Sequence, residues 1–188
     1  MATAVCMLWL AACGDDHAVT PDAALDAAWP DAPACPVPPS EGTLAFTSTR
    51  AARVHDGAGK ETVAWLGALA IGATADVLDI QLLQGSGAFA GGPPTTGTFA
   101  LSGAEIQLAT CGICVVFEVG SPREYFVAQS GTLVIDELGP TGTGHFRASL
   151  SNATLPRVTI DPATNHSTVV GDGCQTTIVA ASWDTPIN

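Results

Sequence analysis

The sequence is poor in positive charge. Lys and Arg together number 6 against 18 Asp and Glu, for a formal net charge of −12 over 188 residues. A nucleic-acid partner requires a basic face to neutralise phosphates, so the composition excludes that class. Surface aromatics are also scarce, with one Tyr and four Trp, which argues against a face built for stacking on sugars. No apolar run approaches the roughly 20 residues that an α-helix needs to span a bilayer. No G-x-S-x-G nucleophile elbow and no D-x-D-x-D-G calcium loop occurs. What the chain has is 47 % hydrophobic residues, 20 Gly and 13 Pro. Such a composition supports a real core and suits short strands joined by turns better than long helices.

Residues 1–12 are apolar throughout, the length of a signal-peptide h-region. They end in Leu10-Ala11-Ala12-Cys13, which resembles the lipobox of bacterial lipoproteins: an aliphatic residue, two small residues and a cysteine. The resemblance implies that residues 1–12 are cleaved and that Cys13 becomes an acylated N-terminus, with the lipid bilayer as partner. No Lys or Arg precedes the apolar run, a departure that an upstream start codon would explain. Gly14 follows the cysteine where an Asp would favour inner-membrane retention in that family, so the expected location is the outer membrane or cell surface. Residues 14–34 carry Asp15, Asp16, Asp22, Asp26 and Asp31 with Pro21, Pro30 and Pro33 and no sustained apolar period. They read as a tether, so the chain divides into a signal segment (1–12), a lipidated Cys and tether (13–34) and a domain (35–188).

Within the domain the hydrophobic period is two. Leu44 and Phe46, then Leu78, Ile80 and Leu82, then Val115, Phe117 and Val119, then Phe146, Ala148 and Leu150 all alternate with more polar neighbours. Further strands are expected at 62–70, 97–101, 105–110, 124–128, 131–137, 156–161 and 175–182. Glycine- and proline-rich clusters such as Gly91-Gly92-Pro93-Pro94 and Gly139-Pro140-Thr141-Gly142 separate many of them. The expected fold is an all-β antiparallel sandwich of about ten short strands. Trp65 is expected in the core, and Trp183 is the one exposed tryptophan candidate.

Of six cysteines, Cys6 falls in the leader and Cys13 at the lipobox. Cys35, Cys111, Cys114 and Cys174 remain as disulfide candidates in an exported domain. Three pairings are open, and the reading leans to Cys111–Cys114 with Cys35–Cys174. Cys111-Gly112-Ile113-Cys114 also invites a redox dithiol or, with His145 and His166, a zinc site. Redox chemistry wants a helix N-terminus after the motif, and a strand pattern follows instead. Zinc fingers place their histidines three to five residues apart, which these are not. Gly85-Ser86-Gly87-Ala88-Phe89-Ala90 loosely matches a dinucleotide loop, but Gly91-Gly92-Pro93-Pro94 stands where its helix should start. The reading therefore names no catalytic, metal or cofactor-binding residue, and no cofactor.

Thr110-Cys111-Gly112-Ile113-Cys114, Tyr125-Phe126, Gly131-Thr132-Leu133 and Leu150-Ser151-Asn152-Ala153-Thr154-Leu155 are weakly similar to segments of uncharacterised secreted β-domain lipoproteins of bacteria. That resemblance implies no activity. The expected function is a membrane-anchored envelope lipoprotein with a non-catalytic structural, binding or adhesion domain, its protein or glycan ligand open. Two alternatives stand beside it. One is an envelope hydrolase whose site assembles around His55 or His145. The other is a calcium-dependent adhesin using acids such as Asp76, Asp136, Glu137, Asp161 and Asp172.

Overall fold

Alternation of apolar and polar residues is the physical origin of most of the strands. Residues 61–69 and 76–83 both place every second side chain inside, as a pleated strand with one face against a core must. The computed structural model of the chain describes residues 34–69 and 76–188. The signal segment, Cys13 and the tether up to residue 33 lie outside the described residues.

The described unit begins at Ala34 and is all-β. In chain order its strands are β1 (Gly42–Thr43), β2 (Ser48–His55), β3 (Glu61–Leu69) and β4 (Asp76–Leu83). They continue with β5 (Gly97–Ala100), β6 (Ile113–Val119), β7 (Glu124–Val127) and β8 (Ser130–Leu138). The last three are β9 (His145–Ile160), β10 (Ser167–Val169) and β11 (Gln175–Pro186). The only helical turns among the described residues are two short 3-10 turns, Gly87–Phe89 and Gly103–Ile106.

The strands form one curled sheet in the order β1-β11-β9-β7-β6-β4-β3-β2, with β8 and β10 also on β9 and β5 on β8. The all-β class is as expected, and the sheet is mixed and curls into a half-barrel, so it is not clearly the antiparallel sandwich of the sequence reading. β1 runs parallel to β11. A parallel bridge joins Ala51 to Ile187, so the far strand β2 meets the end of the chain. The reason for continuity is β9. Its 16 residues pair with β11 and β8 along their first part and with β7 and β10 along their last. One strand thus belongs to both halves.

β9 turns the corner at Asn152. Phe146, Ala148 and Leu150 point inward, and then Ala153 and Leu155 do, so the period slips by one residue at Ser151-Asn152. Asn152 has φ +50°, the left-handed region that asparagine tolerates better than most residues. Opposite it, a register shift in β8 spans Ser130 to Thr132. A Cβ on Gly131 would come within 2.8 Å of the Ala153 Cα, so only glycine fits there. Extra residues of this kind bend and twist a sheet.

The core holds Trp65, Phe117, Phe126 and Phe146, all fully buried. Trp183 is only 6 % exposed and stacks on Trp65 with ring centroids 4.2 Å apart, correcting its placement at the surface. Trp65 Nε1 donates to Thr185 Oγ1 at 2.9 Å, and Thr185 Oγ1 donates to Thr49 Oγ1 at 2.9 Å. This chain links β3, β11 and β2 where the half-barrel curls round. Two strands escaped the periodicity. β2 buries only Ala51, so it shows no alternation; β10 has three residues. Conversely, 105–110, expected as a strand, is the end of a 3-10 turn followed by further turns, and residues 44–47 are not strand although Leu44 is buried.

Candidate functional site

The outward face of β2, β3, β4 and β6 is laid out in cross-strand rows. Arg50, Leu66, Asp79 and Val116 form one row; Ser48, Ala68, Val77 and Glu118 form the next. Beyond β6 this face is roofed. Val116, Val127 and Val158 are buried there beneath Leu108 and Ile160, with Tyr125 alongside.

The roof is fastened by polar contacts. The Gln107 side chain receives the Ser167 N–H at 2.5 Å and hydroxyl at 2.7 Å, and donates to the Ser167 carbonyl at 2.9 Å. Glu105, 6 % exposed, accepts backbone N–H groups from Ala88 (2.6 Å), Gly112 (2.9 Å) and Ile113 (2.5 Å). One carboxylate therefore binds together the two 3-10 turns and the Cys111–Cys114 loop.

Where the roof ends, over β2, β3 and β4, the face opens into a groove of about 590 Å³. Arg50, Leu66, Val77, Asp79, Glu118 and Arg123 line it. A smaller hollow of about 280 Å³ shares Asp79 and Glu118 and reaches Gln81, Tyr125 and Leu108. Asp79 is the group most affected by this setting. Its Oδ2 accepts from Gln81 Nε2 at 2.8 Å, whereas Oδ1 is buried and lacks a hydrogen-bond partner among the described residues. Burial pushes its carboxyl above the ordinary value, against the opposing pull of the Gln81 hydrogen bond and the Arg50 charge. Glu118 is ion-paired with Arg123.

The sequence reading placed Asp79 and Gln81 only as wet-face residues of a strand. The signal it lacked was the apolar surround: Leu66, Val77 and Val116 share that outward face, which makes an acid there half-desolvated rather than solvated.

Of the residues singled out from sequence, Cys114 lines the smaller hollow and most of the others lie elsewhere. Cys35 is bonded to Cys174 and Cys111 to Cys114. Cys111 and Cys114 are 1 % and 5 % exposed, and β6 starts at Ile113, so no helix end faces the pair. His145 Nδ1 hydrogen-bonds Asp184 Oδ1 at 2.5 Å, and Arg147 Nε donates to Asp184 Oδ2 at 3.0 Å while its Nη2 lies 3.2 Å from Glu137. The hydrogen bond from His145, then that from Arg147, holds the Asp184 carboxyl below its ordinary range. The nearby hydroxyls, Ser149 and Ser182, pair with each other's positions across β9 and β11 and make no hydrogen bond to His145. This is a carboxylate–imidazole pair on an exposed face, with Ser149 and Ser182 lining the same hollow as Asp184. His55 sits 3.5 Å from Glu61 and is 58 % exposed. His166 meets Gln107 at 3.2 Å.

The acids considered for calcium do not converge. Asp76 accepts the Gly120 N–H, Asp161 caps its own turn through the Ala163 N–H, and Asp172 pairs with Arg157. Among the described residues no cluster of three or more His, Cys, Asp or Glu is arranged to hold a metal ion. Comparison of the chain with protein-family models, curated proteins and solved structures gives no match.

Proposed function

We propose that this chain is a lipid-anchored envelope protein whose β-domain is a non-catalytic binding module at the outer membrane or cell surface. The anchor is acylated Cys13, and residues 14–34 are its spacer. The observation that carries the reading is the Cys35–Cys174 disulfide, which ties the entry of the domain to the start of β11 across 139 residues. Disulfides persist in exported proteins and are rare in reducing compartments, in agreement with the lipobox-like Leu10-Ala11-Ala12-Cys13. A domain closed at its point of attachment transmits force from tether to sheet without unravelling its first segment. In this reading the two halves that share β9 act as the two layers of a sandwich, packed through Trp65, Trp183 and Phe146, and the groove around Asp79 is the contact site for a ligand.

Fractionation of the native host tests the anchor. The full chain is expected in the membrane fraction, resistant to high salt, and Cys13→Ala is expected to leave that fraction. Membrane association unchanged by Cys13→Ala would overturn the reading.

A further inference from the structure

The chain has three asparagines, and two of them open the tripeptides Asn152-Ala153-Thr154 and Asn165-His166-Ser167. Both fit N-x-S/T with x other than Pro, the acceptor pattern for N-linked glycans in exported proteins. Short patterns recur by chance, so placement decides whether they can serve. Asn152 and Asn165 are both exposed. Among the described residues they are also the two other than glycine with positive φ, at +50° and +56°. Each therefore stands where the backbone turns, Asn152 at the kink of β9 and Asn165 in the loop between β9 and β10. That loop is fastened by Asp161 and Thr164, whose side chains accept the Ala163 and His166 N–H groups. Neither asparagine carboxamide takes part in a hydrogen bond among the described residues. Each also adjoins apolar surface that the fold leaves open. Val179, 46 % exposed, lies across from Asn152 between the pairs Ile178–Ala153 and Ala180–Ser151. Asn165 lines the smaller hollow together with Leu108, Tyr125 and Ile160.

We propose that Asn152 and Asn165 are N-glycosylation sites and that their glycans cover these two apolar surfaces. The donor is an oligosaccharide carried on a polyprenyl pyrophosphate. The asparagine Nδ2 attacks the anomeric carbon of the first sugar. A C–N bond forms, the C–O bond to the pyrophosphate breaks, the amide gives up one proton, and the polyprenyl pyrophosphate leaves. In the folded chain the Ser167 hydroxyl donates to Gln107 Oε1 at 2.7 Å. Thr154 is paired on both sides, with Thr177 of β11 and Ser130 of β8. A transferase therefore reads both tripeptides in the chain before it folds, during export. The finished fold then keeps both acceptor side chains outside, where a glycan displaces no part of the sheet. The inference goes beyond the binding-module reading and shares with it only the premise of export.

The test is tandem mass spectrometry of tryptic peptides from the full chain purified from its native host. Cleavage after Arg147 and Arg157 isolates Asn152 in residues 148–157 and places Asn165 in the peptide that starts at Val158. Each peptide is expected to be shifted by the mass of an oligosaccharide, to release sugar fragments, and to carry the modification on its asparagine. Asn152→Gly and Asn165→Gly are each expected to abolish the shift in their own peptide only. Glycine suits the positive φ at both positions, so these variants keep the fold. Thr154→Ala retains Asn152 and is expected to abolish its shift as well, because transfer needs the hydroxyl two residues on. Unshifted peptides in the wild type, or shifts that survive the glycine variants, would overturn the proposal. A shift in one peptide alone would overturn it for the other asparagine. A chain acylated at Cys13 with both asparagines bare would leave the anchored-module reading standing, so the two failures are separable.

Discussion

Asp79 is ionisable, half-desolvated and only partly hydrogen-bonded, and its cost to the fold depends on pH. Its carboxyl is raised above the ordinary value of 3.8, by burial first. The folded state therefore favours the protonated acid more than the unfolded chain does. The stability that Asp79 contributes is fully present below 3.8 and is lost as pH rises through the raised value. Asp79→Asn keeps the shape and removes the charge. Its melting temperature is expected to exceed that of the wild type at neutral pH, with the difference shrinking as the solution is acidified. Thermal melts at a series of pH values check this, and a variant less stable at neutral pH would contradict it. Glu105 shows the opposite design. It is the more deeply buried of the two, at 6 % exposed, but its two oxygens meet three N–H donors, so its burial fastens the roof beside the groove instead of straining it.

At the scale of elements, β9 explains both what the sequence discloses and what it conceals. Phe146, Ala148 and Leu150 announce the first part of the strand, and 156–161 announces the last. The slip at Ser151-Asn152 made one strand look like two, because a hydrophobic period cannot be followed through an extra residue. With the strand divided, the link between the two halves of the sheet was lost and a sandwich became the natural inference. β2 was invisible for a different reason. It is a far strand with Ala51 as its single buried residue, so it joins the sheet through backbone pairing to β3, which leaves no mark on composition. Trp183 was misread because proximity to the terminus suggested exposure, and because the inward phase of β11 slips by one residue, from Thr176 and Ile178 to Ala181, Trp183 and Thr185. Asn152→Val is expected to cost about 1–2 kcal/mol, since a β-branched residue pays to enter the left-handed region. Asn152→Gly should cost far less. Chemical denaturation of both variants decides the matter; equal costs would show that the backbone there is relaxed.

At the scale of the described domain, the decisive features are a half-barrel whose far strand meets the end of the chain and a disulfide at its entry. The half-barrel brings Ala51 to Ile187, and the Asn188 N–H reaches the Ala51 carbonyl at 3.0 Å. Cys35–Cys174 then secures the entry of the domain to the start of β11. A loop of 139 residues closed by a disulfide is stabilised by about 5 kcal/mol in the chain-entropy account. Replacing both Cys35 and Cys174 by Ser is expected to remove roughly 2–5 kcal/mol of stability, measurable by urea unfolding. A loss well below that range would mean that the sheet closes as firmly without the staple. The cysteine pattern was legible because a set of four cysteines limits the pairings to three. The groove was not, because its rows arise only once β2, β3, β4 and β6 pair in their observed register. The proposed anchor rests on the lipobox-like residues, and the account stands or falls with them.

The measurement that tests it most directly is the intact mass of the protein extracted from its native membrane, before and after reduction. The account predicts a chain that begins at Cys13, carries acyl groups there, and gains two hydrogens for each of two disulfides on reduction. A chain that retains residues 1–12 and carries no lipid would contradict it.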